Sequence, residues 1–281
     1  MKMVKKILLG LAATAAVLAL VGCKTNDDTQ NAIGGKNNNY DIDWTNEGTD
    51  AYRAYKSTSL KHAGALVRVT FKAPEAGNYS KMGVIFDLHD NAADKEAKDF
   101  YIIGLAGTND YNLYASYFTN VTDLQAENFG TKLATNPAVE TVLFDETSSN
   151  DIGTVTPPEK DANGSITYYV YYKAFANNGT AEGESDATKG YYEWAVFDFT
   201  AEQATAAKAL MKNDATNYAA LAAVGGRLVK GQKILDAFTL GTNNAVPQNQ
   251  IAVYAKVDAK KRLSGEWEFL DMYKEAEEIE E

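Results

Sequence analysis

Residues 66–72, Leu-Val-Arg-Val-Thr-Phe-Lys, alternate apolar and polar side chains along one short segment. A period of two places Val67, Val69 and Phe71 on one face of an extended chain and the polar side chains on the other. Pro74 follows closely and cannot continue a central strand. The segment therefore predicts a β-strand that buries one face in a core.

Apolar or alternating segments of the same kind recur along the chain, separated by loops rich in Asn, Gly, Asp and Ser. Short strands between such turns are typical of an antiparallel sandwich or barrel, so we predict a mainly β fold, an antiparallel β-sandwich. One helical insertion is expected at about 200–225, where Thr200 and Gln203 form a capping box, and we expect it to cover one end of the sandwich. The other predicted strands are 82–88, 100–105, 111–118, 141–144, 166–175, 191–199, 250–257 and 266–272.

The composition argues against several classes of function. The 281 residues include 27 Lys plus Arg against 38 Asp plus Glu, a formal net charge of −11. Nucleic-acid binding needs a basic surface, so we expect no nucleic-acid partner. A single cysteine allows neither an intramolecular disulfide nor a thiolate metal cluster. We expect no cofactor and no bound metal.

The N-terminus has the pattern of a secretory signal. Three lysines in the first six residues precede an apolar run at 7–21, which is shorter than the roughly 20 residues that a membrane span needs. The run ends in Leu20-Val21-Gly22-Cys23, which resembles the lipobox of bacterial lipoproteins. The resemblance implies that Cys23 is lipidated and becomes the new N-terminus. It also implies a lipid-anchored protein of the cell envelope, at the outer membrane or the cell surface.

These features give a domain organisation. Residues 1–22 are the signal peptide, and 23–39 are the lipidated cysteine and a flexible tether, which is polar apart from one large apolar residue. Residues 40–272 form a single sandwich domain. Residues 273–281, with five glutamates and one lysine, are an acidic tail.

Catalytic and metal-binding candidates are few. Asp87 and His89 alternate in a predicted strand, so both side chains lie on one face and could orient a general base or begin a metal site. No third ligand stands at a recognisable spacing, and a plain ion pair is the favoured interpretation. Segment 90–99 gathers carboxylate and amide oxygens, but its spacing does not match a helix-loop-helix calcium site, and a solvated loop is favoured.

Glu266 and Glu268 lie on one face of the last predicted strand. Glycoside hydrolysis uses two carboxylates on either side of the scissile bond. The segment 266–271 faintly resembles the strand signature of sandwich-fold glucanases, although the order of Glu and Asp differs. With Trp267 and Phe269 directed to the core, the glutamates are expected to be solvated, and we do not expect an enzyme.

Aromatic side chains are the strongest functional feature of the sequence. Tyr169 and Tyr171 alternate with the core-facing residues of their strand, so they are expected to face solvent, and Tyr114 and Trp194 occupy similar positions. Such rings stack on sugars and are frequent at protein interfaces. These four residues are the predicted ligand-binding set. The alternative is cross-strand aromatic pairing that stabilises the sheet.

The body at 40–272, ending in Gly-Glu-Trp-Glu-Phe-Leu-Asp-Met at 265–272, resembles concanavalin-like and jelly-roll lectin domains. The signal and the Asn- and Tyr-rich body resemble lipoproteins of host-associated spirochaetes. These resemblances imply a membrane-anchored surface lipoprotein with a non-catalytic binding domain for glycan or host protein, in an adhesion role. A structural envelope lipoprotein without a small ligand, or a glycan-processing hydrolase, are the alternatives.

Overall fold

The computed structural model describes residues 39–48, 52–72, 80–106, 112–122, 139–145, 156, 158–176, 186–213 and 215–273. Within them, twelve strands form two six-stranded sheets in which every neighbouring pair is antiparallel. The two sheets pack face to face, which confirms the predicted antiparallel β-sandwich and is compatible with a jelly roll.

The strands are, in chain order, β1 (Asn39–Thr45), β2 (Tyr52–His62), β3 (Gly64–Lys72), β4 (Lys81–Asp90), β5 (Lys98–Ala106), β6 (Asn112–Val121), β7 (Val139–Asp145), β8 (Ile166–Ala176), β9 (Lys189–Asp198), β10 (Arg227–Thr239), β11 (Asn249–Val257) and β12 (Arg262–Tyr273). Sheet A has the order β1-β12-β3-β8-β9-β10, and sheet B has the order β2-β11-β4-β5-β6-β7. A 3-10 turn, Thr242–Asn244, precedes β11.

The main core lies between the two sheets. Val67, Val69 and Phe71 of β3 are fully buried there, as their alternation predicts. The indole N–H of Trp267 donates to the Gly83 carbonyl of the opposite sheet at 2.8 Å. The polar atom of this large ring is thus satisfied inside the core, and the bond ties sheet A to sheet B.

Two helices, α1 (Ala201–Leu210) and α2 (Tyr218–Ala222), follow β9. The predicted capping box is present: the Gln203 amide donates to the Thr200 hydroxyl, and the Thr200 amide donates to the Gln203 side chain. The expectation that this insertion covers one end of the sandwich is wrong. The helices pack on the outer face of sheet A because that face of β8 and β9 is itself apolar and needs a cover. The outer cluster consists of Leu66, Tyr169, Tyr171, Ala195, Phe197, Phe199, Ala204, Ala207, Met211 and Leu221.

Three strands, β1, β2 and β10, were not predicted from the sequence pattern, and each is the first or last strand of its sheet. Cys23, the tether before Asn39 and the tail after Tyr273 lie outside the described residues. In the part of the chain that is described, no helix is long and apolar enough to cross a membrane.

Candidate functional site

The two tyrosines expected to face solvent on β8 are buried. Tyr169 is 4% exposed and Tyr171 is 0% exposed, because α1 and α2 cover the face on which both side chains lie. The Tyr169 ring packs against Phe199 with centroids 5.3 Å apart. The Tyr171 hydroxyl donates to the Thr216 carbonyl at 3.2 Å. The two rings do lie on one face of β8, as the alternation predicts, but the expectation that they form a solvent-facing platform is wrong.

Trp194 and Tyr114 are also buried, in two further environments. Trp194 is on the inner face of sheet A and belongs to the main core. Tyr114 lies on the outer face of sheet B, in a second apolar cluster that includes the stacked rings of Phe100 and Phe118. Lys81 places its ammonium 4.8 Å from the centroid of the Tyr114 ring. The four predicted ligand-binding aromatics therefore lie in three separate packed clusters and do not form one exposed surface.

Side chains of sheet A bind backbone groups of the segment after α1 and of the first residue of α2. Lys173 donates to the Asn213 carbonyl at 3.2 Å, and Glu193 accepts from the Tyr218 amide at 3.2 Å. Both charged side chains are buried. Buried polar groups need such partners, since leaving them unsatisfied costs about 1–3 kcal/mol each. The aromatic face of β8 and its charged neighbours are therefore engaged by the protein's own chain.

Asp87 and His89 lie close together, as the sequence suggests, but a β-bulge and not regular strand alternation brings them there. The pairing of β4 with β5 shifts register between Phe86 and His89, and Asp87 has a φ of 57°, in the left-handed region. This bulge turns the Asp87 carboxylate towards the other sheet, where it accepts from the Tyr192 hydroxyl at 2.5 Å. The carboxylate also accepts from the Asn249 amide at 2.5 Å.

Burial raises the pKa of the Asp87 carboxyl above its ordinary value, although the nearby His89 and the two hydrogen bonds act in the opposite direction. His89 places Nδ1 2.6 Å from the Asp87 backbone carbonyl and 3.6 Å from the carboxylate. The carboxylate links the two sheets and is occupied by structural donors. No group of three or more His, Cys, Asp or Glu side chains that could hold a metal occurs among the described residues.

The oxygens of the 90–99 segment bind donors of their own loop and its neighbours. The Asp99 carboxylate accepts from the Thr119 hydroxyl and the Asn120 amide, both at 2.8 Å, and from the side chain of Asn91. Asp90 forms an ion pair with Lys98, and this contact lowers the pKa of the Asp90 carboxyl. The segment is thus a loop between β4 and β5, as its favoured interpretation predicts, but the Asp99 carboxylate is buried and hydrogen-bonded within the protein, not solvated.

Glu266 and Glu268 share one cation. Trp267 and Phe269 are buried in the core, so the glutamates lie on the outer face of sheet A, as predicted. One nitrogen of Arg68 is 2.9 Å from a carboxylate oxygen of each glutamate. Because the guanidinium bridges the two acids, it stands between them, where a hydrolase would hold the scissile bond.

Strand β10 is the last strand of sheet A in the described structure and has no fully buried face. None of its thirteen residues is buried. Among the described residues, the exposed large hydrophobic side chains are Leu228 (38%) and Leu235 (41%), and both are on β10. We call this strand, Arg227–Thr239, the β10 edge. Exposed apolar side chains on the outer strand of a sheet are a feature of surfaces that bind other chains.

The β10 edge is also basic in an acidic protein. It carries Arg227, Lys230 and Lys233 against the single acidic residue Asp236, whereas the whole chain has a net charge of −11. Sequence reasoning missed this strand because its lysines interrupt the apolar alternation. The run Leu-Val-Lys-Gly-Gln-Lys-Ile-Leu at 228–235 holds four large aliphatic residues, and it is the signal that could have located the strand.

No protein-family model matches this chain, and no curated protein is significantly similar to it.

Proposed function

We propose that the chain is a lipid-anchored protein of the bacterial cell envelope, at the outer membrane or the cell surface, whose sandwich is a non-catalytic binding domain for a protein ligand. The lipobox-like end of the signal supports the anchor at Cys23. The Asn- and Tyr-rich composition supports a lipoprotein of the kind found in host-associated spirochaetes. A jelly-roll or concanavalin-like sandwich, the finer fold that we propose, is a common frame for binding domains.

The β10 edge is the observation that carries this proposal. It combines exposed leucines and basic side chains on the last strand of sheet A in the described structure, and extended segments of other proteins can bind such strands through their backbones. The four aromatics that would stack on a sugar are buried, so a protein ligand is favoured over a glycan. The carboxylates considered for catalysis are engaged by Arg68 or by the Asp87 contacts, so a binding role is favoured over hydrolysis.

The anchor is tested by labelling cells with a palmitate analogue. The wild-type chain should incorporate label, and Cys23→Ser should abolish it, because the sequence holds no other cysteine. An unlabelled wild-type protein, or label retained in Cys23→Ser, would refute the anchor.

The ligand class is tested on an array that carries both glycans and host-matrix proteins, probed with the chain from Lys24 onward. We expect capture on protein spots and not on glycan spots. Lys230→Gln/Lys233→Gln should remove most of the signal without adding an acid beside the buried Glu193. Lys95→Gln/Lys260→Gln makes the same charge change at exposed positions elsewhere and should leave the signal. Capture on glycans alone would reject a protein ligand, and capture of neither class would favour a structural envelope role.

A further inference from the structure

Strands β1 and β10 are the two ends of sheet A. In the described part of the chain, β1 pairs with β12 and β10 pairs with β9. Six antiparallel strands alternate in direction, so the first and the sixth run in opposite directions. If a second copy in the same orientation is placed beside the first, its β1 lies antiparallel to β10. The alternation of sheet A would then continue from one copy into the next.

The β10 edge offers a short regular window for such pairing. Lys230–Ile234 pairs with β9 without interruption, and register shifts bound it on both sides. Lys230 is opposite Val196, on the core side of the sheet. Lys233 is opposite Glu193, on the helix side, where its ammonium is 3.9 Å from the Glu193 carboxylate and 4.6 Å from the centroid of the Tyr191 ring. Two β10 strands placed edge to edge would bring lysines against lysines, and like charges in such positions repel. The window therefore favours a partner of opposite charge.

Strand β1 has that charge. Its residues alternate between half-buried Tyr40, Ile42 and Trp44, which pack on the main core, and exposed Asp41 and Asp43 on the other face. The strand has seven residues, enough to span the five-residue window of β10. The two edges of sheet A are therefore opposite in charge and compatible in direction and length.

We propose that the β10 edge of one copy pairs with β1 of a second copy, which joins two sheets A into one continuous sheet. The inference rests on the proposed function, because both use the β10 edge as the binding surface. The pairing names a second copy of this chain as the partner.

One register of the β1–β10 pairing gives favourable contacts on both faces of the joined sheet. When Lys233 is placed opposite Asp41, the Asp41 carboxylate joins that of Glu193 beside the Lys233 ammonium on the helix side of the sheet. Lys230 then lies opposite Trp44 on the core side, where an ammonium can approach the indole ring. In the same register Ile234 lies opposite Tyr40, a β-branched and aromatic pair of the kind that stabilises cross-strand contacts.

The contact uses two different surfaces, so each added copy leaves one edge of each kind open. Such head-to-tail contacts generate chains of copies unless the rotation between copies closes a ring. An anchor at Cys23 would hold many copies at one membrane and raise their effective concentration. Weak pairing at each edge would then be enough for assembly.

Disulfide trapping of the full lipoprotein in cells tests the register. Opposed residues in antiparallel strands have Cα atoms about 4.5–5.5 Å apart, within reach of a disulfide. The variant Lys233→Cys/Asp41→Cys should therefore give a ladder of linked copies on a non-reducing gel. Its control, Lys233→Cys/Glu266→Cys, moves one cysteine one strand inward, opposite the Asp41 position, and should give none because the gap grows by roughly 4.8 Å.

Charge neutralisation provides a second measurement, by sedimentation velocity of the full lipoprotein in detergent. Lys233→Gln or Asp41→Asn alone should weaken association by up to about ten-fold, and the two together should weaken it little more than either alone, as expected for a direct contact. These variants add no acid beside the buried Glu193. A ladder as strong in the Glu266 control, or losses that simply add in the double variant, would overturn the inference.

The inference and the proposed function fail in different ways. A chain that forms no ladder and stays monomeric but captures a protein on the array overturns the pairing of β1 with β10 and leaves the proposed function. A ladder specific to the Lys233→Cys/Asp41→Cys pair, with no protein captured on the array, supports the pairing and overturns the proposed ligand.

Discussion

Strands β8 and β10 belong to the same sheet. Their sequences suggest one pattern of solvent exposure, and the structure shows another. β8 contains four tyrosines and has the appearance of an aromatic display, but its outer face is covered by α1 and α2. β10 has a mixed, lysine-containing sequence, and none of its residues is buried. Alternation shows which side chains share a face, whereas the elements that pack on that face decide whether solvent reaches it.

The difference follows from position in the sheet. β8 lies between β3 and β9 and is covered on one face by sheet B and on the other by helices, so its tyrosines become core residues. β10 has a neighbouring strand on one side in the described structure, and it is the last strand of sheet A. We therefore expect substitutions on the two strands to differ in kind: those at β8 and its cover change stability, and those at β10 change binding.

The largest contrast is expected for two leucines. Leu221 of α2 is fully buried in the outer cluster, and Leu221→Ala should cost about 2–5 kcal/mol in the free energy of unfolding, through lost burial and a cavity. Leu228→Ala on β10 should change it by less than about 0.5 kcal/mol, because Leu228 is exposed. Urea denaturation measures both, and equal losses would show that β10 is as well covered as β8.

A smaller contrast separates two neighbouring tyrosines of β8. Tyr171→Phe removes the hydrogen bond to the Thr216 carbonyl and should cost about 0.5–1.5 kcal/mol. Tyr172→Phe removes a hydroxyl that is buried, 1% exposed, and has no hydrogen-bond partner among the described residues, so it should be neutral or stabilising. A cost for Tyr172→Phe as large as that for Tyr171→Phe would contradict the role given to the helix linker.

The strand between β8 and β10 adds a test by pH. Tyr192 of β9 donates to Asp87, whose pKa is raised by burial, so the folded state holds the Asp87 proton more tightly than the unfolded state. This group's contribution to stability is present below the ordinary carboxyl pKa and is lost as pH rises through the raised value. Asp87→Asn should therefore gain stability relative to wild type as pH rises from about 4, the ordinary carboxyl pKa, towards neutrality.

Asp90→Asn is the matched control, because contact with Lys98 lowers the pKa of Asp90. From about pH 4 upward its stability relative to wild type should stay nearly constant, and below the ordinary carboxyl pKa it should rise, since the lowered pKa gives the wild-type group a contribution that is lost as pH falls. Thermal melts across this range measure both variants. Parallel trends would contradict the buried environment of Asp87.

A small effect that depends on salt is expected at the start of β10. Arg227 binds Asp198 at 3.0 Å, and both side chains are well exposed. Arg227→Ala should lower stability by no more than about 1 kcal/mol, and the loss should shrink in high salt. Urea denaturation at two salt concentrations provides the check, and a large salt-independent loss would show that β10 is a structural element like β8.

Much of the fold follows from the sequence, because alternation locates strands that bury at least one face. The predicted strands include every strand in the interior of either sheet, such as β3, β4 and β8. The unpredicted β1, β2 and β10 are at sheet edges. β1 does alternate, from Tyr40 to Trp44, but it is short and follows a polar segment, and the lysines of β10 hide its aliphatic residues.

The candidate surface could not be predicted in the same way. The capping box located α1 correctly, but nothing local in residues 200–225 tells which surface the helices cover. The helices pack where they do because the outer face of β8 and β9 is apolar. This contact joins residues far apart in the sequence: Tyr171 binds a segment more than forty residues later. Likewise, the left-handed conformation of Asp87 arises from a bulge that regular alternation does not indicate.

Amide hydrogen exchange at low and high protein concentration tests the central claim most directly, because one experiment follows β8 and the β10 edge together. We expect residues 166–176 to exchange slowly at both concentrations. Residues 227–239 and 39–45 should exchange faster at low concentration and become protected at high concentration, as copies pair through these edges. Protection that changes in β8 and not in β10 would show that the binding surface is the aromatic face, and it would contradict the account.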